Sequence, residues 1–335
     1  MTKRIYVGDL HLTAQSSHEG PRAWGRTDHH DVGQLASFLA SDLVRAQDEL
    51  VLVGDTFDQW LCPIDVRPPT VHEIVEAPYN RPVMAALRAL AGRNVQVVYI
   101  PGNRDMHVTA ADVEQAIPGC RFAADGIDEP GLRVEHGHRR CMFNGPDPKA
   151  RPYPLGYYLT RLSATSGARS GKRPPTLQTI LHDLGGAATV IAKPGRLGEA
   201  IVDALMTTLD QARAPVRRDE DVLMPAADDA PVKVGAIGPT YGNLYYDWKE
   251  RWGDPFGAVE RELEPWYGLP WPPEQVVIHG HTHDHVGGNR SYLNLGEWCA
   301  RPRYFATTEQ TDHHLKYELH HWRETSYTTV KSDTL

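Results

Sequence analysis

The amino-acid sequence predicts an α/β fold on three observations. Short segments rich in Val and Ile alternate with helical patterns in the first third of the chain. Each of these segments ends in a polar cluster, and strand-like segments return near the end of the chain. The 335 residues are 41% hydrophobic and 23% charged with a net charge of −8, which excludes disordered and collagen-like chains. Because no apolar run approaches the ~18 residues of a membrane span, we expect a cytoplasmic protein without a transmembrane segment.

The individual elements follow from local periodicity. Leu35, Phe38 and Leu39 lie on one stripe of a predicted helix, and Pro82 suits the first turn of another. Runs of β-branched residues bounded by polar clusters predict the strands. The predicted strands are 4–7, 49–53, 95–100, 120–124, 132–136, 276–279, 291–295, 303–307 and 314–322. The predicted helices are 31–46 and a segment that begins at Pro82 and contains Val83, Leu87 and Leu90 at helical spacing.

Residues 145–270 form a different kind of sequence, interrupted by Pro and Gly. We interpret this segment as an insertion of several short helices that forms a cap, placed within a main domain made of 1–144 and 271–335. Between 149 and 196 the segment has eight basic residues and one acid, which suits either a solvated loop or a contact with an anionic substrate. Tyr157, Tyr158, Leu159 and Leu162 form an apolar stripe, for which core packing is favoured over contact with lipid.

Five polar clusters at predicted strand ends combine the side chains that bind metal ions. They lie at 8–11, 54–58, 102–105, 136–138 and 280–283, and they contain Asp, His and Asn. Ligands two residues apart at a strand end leave on the same side, and a carboxylate can bridge two cations. Cys62, Cys120, Cys141 and Cys299 are far apart and form no CxxC pair, so Mn, Zn or Fe with nitrogen and oxygen ligands is favoured over a thiolate site.

These motifs resemble those of the calcineurin-like metallophosphoesterase superfamily over roughly residues 3–144 and 271–322. The resemblance implies a four-layer αββα sandwich, with a largely helical insertion, and two divalent or trivalent metal ions. It also implies that metal-bound hydroxide hydrolyses a phosphodiester or diphosphate bond. The motifs are Asp9-x-His11, Gly54-Asp55-x-x-Asp58, Gly102-Asn103-x-Asp105, His136-Gly-His138 and Gly280-His281-x-His283.

The resemblance also implies a role for each motif residue. One metal would be held by Asp9, His11, Asp55 and His283, and the other by Asp55, Asn103, His136 and His281. His138 is an alternative ligand to His136, which is preferred because it precedes Gly. Asp58 and Asp105 would orient the ligands. His279 and His285 flank the last motif and are interpreted as orienting partners of the ligands there.

Arg104 stands where many members of the superfamily have a His that protonates the leaving group. Arginine binds phosphate oxygens well but cannot donate a proton near neutral pH. We therefore expect phosphodiesters or diphosphates to be cleaved in preference to alkyl monoesters, unless His107 or His138 supplies the proton. Gly102-Asn103-Arg104-Asp105 also resembles the UDP-2,3-diacylglucosamine hydrolase branch, and the longer insertion and His138 indicate a relative with a different substrate.

The expected partner is an anionic phosphate-containing small molecule or a lipid-linked substrate. A nuclease or cyclic-nucleotide phosphodiesterase could use the same centre, although the negative net charge gives no strong nucleic-acid signal. A phosphomonoesterase or protein phosphatase is disfavoured by Arg104, and a non-catalytic metal-binding scaffold is disfavoured by the full set of ligands. The exact substrate, the native metals, membrane association and the oligomeric state stay open.

Overall fold

The computed structural model describes residues 1–15, 29–170, 197–211, 216–224, 230–252, 275–283, 292–299, 302–312 and 314–335. Seven strands form the larger sheet, in the order β13-β12-β11-β1-β2-β3-β4. The first four strands of the chain are parallel, and the last three continue the sheet beyond β1, each antiparallel to the strand beside it. These strands are β1 (Thr2–Val7), β2 (Glu49–Val53), β3 (Gln96–Ile100), β4 (Arg121–Phe122), β11 (Arg303–Gln310), β12 (Leu315–Arg323) and β13 (Ser326–Thr334).

A smaller sheet packs face to face against the first and has the order β10-β9-β6-β5. β6, β9 and β10 run parallel, and β5 is antiparallel to β6. A separate two-stranded sheet joins β7 to β8. The bounds are β5 (Ile127–Glu129), β6 (Leu132–Val134), β7 (Val222–Leu223), β8 (Val232–Lys233), β9 (Val276–His279) and β10 (Tyr292–Asn294).

Alternation along each strand divides the apolar residues between two cores. Tyr6 and Val51 face the smaller sheet, where Ile278 is one of the residues that meet them. Ile5 and Leu50 point the other way, into the core beneath the helices. Both faces of the central parallel strands are therefore buried, as is typical of continuous apolar runs.

The helices begin at identifiable signals. Pro82 occupies the first turn of α4, and Thr70 and Thr109 each form a capping box that starts α3 and α5. The bounds are α1 (His29–Leu39), α2 (Asp42–Arg45), α3 (Val71–Glu76), α4 (Arg81–Ala91), α5 (Ala110–Ala116), α6 (Leu155–Ser170), α7 (Leu197–Gln211), α8 (Val234–Thr240) and α9 (Leu244–Trp252). The helices together with the two facing sheets confirm the predicted α/β class and β-sandwich.

The described part of the predicted insertion contains α6 to α9 and shares one apolar core with loops of the main domain. Trp60 and Ile64, which follow β2, pack with Tyr157 and Leu162 of α6. The stripe on α6 is buried, so the interpretation as core packing is confirmed over contact with lipid. No helix in the described ranges is both long and apolar enough to cross a bilayer. The boundaries at 145 and 270 stay a prediction, and part of the basic segment lies outside the described residues.

Five predicted elements were wrong by two residues or more at one end, and two of them are strands that extend further than predicted, β1 from Thr2 and β11 to Gln310. The single helix over 31–46 is two helices, because Ser41 accepts the backbone N–H of Val44 at 3.4 Å and restarts the helix as α2. The strand over 132–136 ends at Val134, shortly before Gly137 turns the chain with a φ of 101°. The strand over 120–124 is reduced to two residues, and the sequence patterns missed α3, α5, β5 and β13, as well as β7 and β8 within the segment predicted to be helical.

Candidate metal centre

Five strand ends meet at one edge of the sandwich. β1, β2 and β3 are parallel neighbours in the larger sheet, and β6 and β9 are parallel neighbours in the smaller one. Backbone hydrogen bonds join the loops that follow these strands. The N–H of Asp9 donates to the carbonyl of Gly54 at 3.1 Å, and the N–H of Gly280 donates to the carbonyl of His136 at 3.2 Å. The tertiary structure thus brings together the five motifs that lie far apart in the sequence.

One group of side chains at this edge consists of Asp9, His11 and His283. Its ligand atoms all lie within 4.8 Å of one another, so the group could hold a metal ion. Oδ1 of Asp9 lies 3.1 Å from Nε2 of His283 and 3.6 Å from Nε2 of His11. This oxygen is buried and accepts no hydrogen bond from a described residue, and such an oxygen is costly unless a ligand compensates it.

A second group, Asp9, Asp55 and His136, meets the same distance limit. Nε2 of His136 lies 3.4 Å from Oδ1 of Asp55 and 3.2 Å from Oδ1 of Asn103. The other oxygen of Asp55, Oδ2, lies 3.8 Å from Nε2 of His11 in the first group. Asp55 therefore presents one carboxylate oxygen towards each group.

The far nitrogen of each of these three imidazoles has an acceptor. Nδ1 of His11 lies 2.8 Å from Oδ2 of Asp58, and Nδ1 of His283 lies 2.8 Å from Oε2 of Glu297. Nδ1 of His136 lies 3.0 Å from a backbone carbonyl oxygen. An acceptor at Nδ1 selects the tautomer whose Nε2 carries a lone pair, as is usual for metal-binding histidines. Nε2 of His11 and Nε2 of His283 are 3.2 Å apart. Two nitrogen lone pairs that face each other in this way are suited to binding a cation.

Glu297 was missed by sequence reasoning. The only local signal is its position in a Gly-Glu-Trp string just after β10, and nothing in that string indicates a contact with the preceding motif. The nearby Asn294 has a structural role. Its amide donates to the carbonyl of Gly280 at 3.0 Å and to the hydroxyl of Thr282 at 2.8 Å, which holds the turn that carries His281 and His283.

Asp105 links the second and third motifs. Its carboxylate accepts the N–H of Thr56 at 2.9 Å, the N–H of Gly102 at 2.5 Å and the hydroxyl of Tyr99. Burial, with the charge of Asp55, raises the pKa of Asp105 to about 6. Asp105 therefore acts on the loops that carry the candidate ligands.

Backbone strain is concentrated at this edge. Among eight described non-glycine residues with positive φ, five belong to the predicted motifs: Asp9, His11, Asp55, His281 and His283. Left-handed conformations of such residues cost free energy and persist only where the surroundings enforce them, as they do at functional sites. The chain is also crowded at Gly102, where a Cβ would collide with the carboxylate of Asp55.

The electrostatics of the cluster favour bound positive charge. Burial lowers the pKa of His136, but the carboxylates of Asp55 and Asp9 outweigh it and raise that pKa to about 10. Burial raises the pKa of Asp55 in turn, but the charge of His136 holds it well below its usual range. Without a cation, a proton on His136 thus balances the buried carboxylates.

Arg104 borders both groups with a side chain that is 15% exposed. Its Nε lies 4.0 Å from Oδ2 of Asp55, and its guanidinium lies over the ring of Trp60, 5.2 Å from the centroid. Nη1 donates to the hydroxyl of Thr160 at 2.8 Å. Thr160 belongs to α6 in the predicted insertion, so part of that segment reaches the candidate centre; the sequence predicted a cap but did not single out Thr160.

The other histidines are placed differently. His138 and His281 are outside the two groups; the ring centroids of His281 and His136 are 5.2 Å apart, and Nδ1 of His138 is buried without a described hydrogen-bond partner. Burial lowers the pKa of His138 to about 3. His279 lies 3.3 Å from a carboxylate oxygen of Glu135, and the ring of His107 packs edge-on against Tyr153. His285 lies outside the described residues.

Comparison with known proteins adds little. No family model matches the chain, and no curated protein matches it. Among solved structures, Vacuolar Protein Sorting 29 from Cryptosporidium parvum matches over 100% of this chain and 97% of that chain, at 10% identity and a TM-score of 0.33. A similarity this distant carries no argument about activity. The chemistry of the centre has to be inferred from its own residues.

Proposed function

We propose that this protein is a dinuclear metal-dependent phosphoesterase of the calcineurin-like superfamily. The observation that carries the proposal is the convergence of three imidazole Nε2 atoms on the carboxylates of Asp9 and Asp55, while each Nδ1 has its own acceptor. Mixed nitrogen and oxygen donors without thiolate suit Mn, Zn or Fe.

The distances support a particular assignment of ligands. Asp9, His11 and His283 would hold one cation, and Asp55 would bridge it to the second, because its two oxygens face different imidazoles. His136, and not His138, belongs to a group of convergent ligand atoms and is assigned to the second cation. Asn103 and His281 complete that assignment, with Asn103 Oδ1 3.2 Å from His136 Nε2.

The expected reaction is hydrolysis of a phosphodiester or diphosphate bond. When bound, the two cations would lower the pKa of a coordinated water molecule and neutralise phosphate charge. Arg104 would bind non-bridging phosphate oxygens through its planar guanidinium. It cannot protonate a leaving alkoxide, so a leaving group that is already a weak base, such as a phosphate or a phenolate, is favoured.

The substrate class follows from the same features and remains a proposal. Resemblance to the UDP-2,3-diacylglucosamine hydrolase branch makes a nucleotide diphosphate, alone or lipid-linked, the first candidate. The predicted insertion supplies part of the surroundings of the centre, since α6 packs on the loop after β2 and its Thr160 contacts Arg104.

The test begins with metal-stripped full-length protein reconstituted with Mn, Zn or Fe. Bound metal is counted by elemental analysis, and turnover is measured on a nitrophenyl monoester, a nitrophenyl diester and a nucleotide sugar. We expect two ions per chain and metal-dependent cleavage of the diester or the diphosphate in preference to the monoester.

Each readout can contradict a different part of the proposal. One ion per chain would refute the dinuclear assignment. Preferred cleavage of monoesters would refute the role given to Arg104. Two bound ions without turnover on any substrate in the panel would favour a metal-binding scaffold instead.

A further inference from the structure

The contact between α6 and Arg104 indicates how the insertion takes part in the candidate site. Nη1 of Arg104 donates to Oγ1 of Thr160 at 2.8 Å. The hydroxyl of Thr160 donates in turn to the carbonyl of Gly156, also at 2.8 Å. Because its proton is used within the helix, the hydroxyl oxygen presents lone pairs towards the guanidinium.

The remaining contacts of the guanidinium are longer and less directional. Its nitrogens lie 4.0 Å from oxygens of Asp55 and Asp58, and the ring centroid of Trp60 is 5.2 Å from the guanidinium carbon. Within the described ranges, the bond to Thr160 is therefore the one side-chain hydrogen bond of Arg104. A long, rotamer-rich side chain that must meet a phosphate is otherwise held only by charge and stacking.

The position of α6 relative to this loop is itself well determined. Arg161, the next residue of the helix, is fully buried and donates to the carbonyls of Cys62 and Pro63 at 3.0 and 2.8 Å. The hydroxyl of Thr165 accepts the N–H of Ile64 at 2.9 Å. The loop after β2 and the helix thus form one rigid support.

We propose that Thr160 is a positioning residue, which holds Arg104 in the orientation that binds a phosphate oxygen. The inference rests on the proposed function, because it assumes that Arg104 meets substrate phosphate. It adds that a residue of the predicted insertion, which is not itself a metal ligand, determines how strongly an oxyanion is bound. A neutral acceptor is suited to this role, since a carboxylate there would compete with phosphate for the guanidinium.

The test compares metal-loaded variants of the full chain with tungstate as a phosphate analogue. Thr160→Val removes the hydroxyl at nearly constant volume, and Thr160→Ser retains it. Thr207→Val is the matched control, because the hydroxyl of Thr207 also donates to the carbonyl four residues earlier, at 2.9 Å, on the exposed part of α7. Tungstate affinity is measured by calorimetry, metal content by elemental analysis, and kcat and KM on a nitrophenyl diester.

We expect Thr160→Val to weaken tungstate binding and raise KM on the order of tenfold, the cost of a hydrogen bond to a charged group. Metal content should stay at two ions per chain. Thr160→Ser should restore most of the affinity, and Thr207→Val should behave as wild type. Combined with Arg104→Met, Thr160→Val should have little further effect, because the group that it positions is gone.

Wild-type affinity and KM in Thr160→Val, beside weakened binding in Arg104→Met, would overturn this inference alone. An equal loss from Thr160→Val in the Arg104→Met background would also overturn it, since the residue would then act by another route. Failure of the metal-loaded wild type to bind tungstate or cleave any substrate would overturn the proposed function, and this inference with it.

Discussion

The two ends of the β-sandwich bury charge in opposite ways. Near the amino end of β1, the guanidinium of Arg4 meets Glu49 at 2.5 Å and Glu129 at 2.7 Å, and so links the two sheets. At the carboxyl ends of the same strands, the buried carboxylates of Asp9 and Asp55 face imidazoles and a single guanidinium no nearer than 4.0 Å.

The difference separates a structural cluster from a functional one. Where opposite charges of the chain meet directly, they neutralise each other in the folded protein, and loss of one partner should lower stability. Where carboxylates and imidazoles converge with only a proton to balance them, a bound cation can take the place of that proton, and loss of a partner should act on binding. Substituting a charged residue at each end, and measuring both stability and metal binding, tests this distinction.

The largest effect is expected from Asp55→Asn, because an amide cannot bridge two cations as a carboxylate does. Metal content should fall and turnover should drop by more than the roughly 100-fold that loss of an outer partner costs. Elemental analysis and initial rates measure the two quantities. Asp125→Asn is the control, since its carboxylate pairs with Arg139 at an exposed site. Retained turnover in Asp55→Asn would refute the two-metal assignment.

Arg4→Met should act at the other end, and on stability alone. It removes a partner of Glu129 and the nearer of two partners of Glu49, which keeps Arg121 at 3.6 Å, so the free energy of unfolding should fall by about 2 kcal/mol. Urea denaturation of the metal-free protein measures this change. Metal content and KM of the folded variant should match the wild type, and a fall in either would mean that the two ends are coupled.

Glu297→Gln should weaken metal binding without abolishing it. Glu297 contacts Nδ1 of His283 at 2.8 Å, and loss of such an outer carboxylate costs ~10- to 100-fold in metal affinity. Competition with a metal chelator measures the affinity. Glu318→Gln on β12 serves as the distant control. An unchanged affinity in Glu297→Gln would show that His283 is oriented without the carboxylate.

The smallest effect concerns pH and a histidine remote from the centre. Burial, opposed in part by Glu318, lowers the pKa of His320 below its usual 6.5. Between that value and the lower folded pKa, the unfolded chain binds a proton that the folded chain does not, so stability falls as the pH falls. The slope is limited to about 1.4 kcal/mol per pH unit for one proton.

Urea denaturation of the metal-free protein between pH 7 and about 5 measures this dependence. His320→Gln should reduce the slope, and His314→Gln at an exposed position should leave it unchanged. An identical slope in His320→Gln and the wild type would show that folding does not change the pKa of His320.

The sequence predicted the fold class correctly, and it predicted the bounds of individual elements less well. Apolar runs such as 49–53 became strands with the same bounds, because a run that is buried on both faces has few alternatives. The helix over 31–46 was divided by a cap at Ser41, a local hydrogen bond that periodicity does not reveal. The edge strand β13 was missed because most of its residues are exposed and carry no apolar pattern.

For the candidate site, the sequence determined which donors are available and in which order. The Asp, His and Asn residues at the strand ends are given by the sequence itself, and these residue types indicate a metal centre without any distances. Their mutual distances, the acceptor that each imidazole meets, and the choice between His136 and His138 depend on how the two sheets face each other. Glu297 and Thr160 act through contacts across 14 and 56 residues of sequence, and only the tertiary structure brings such side chains together.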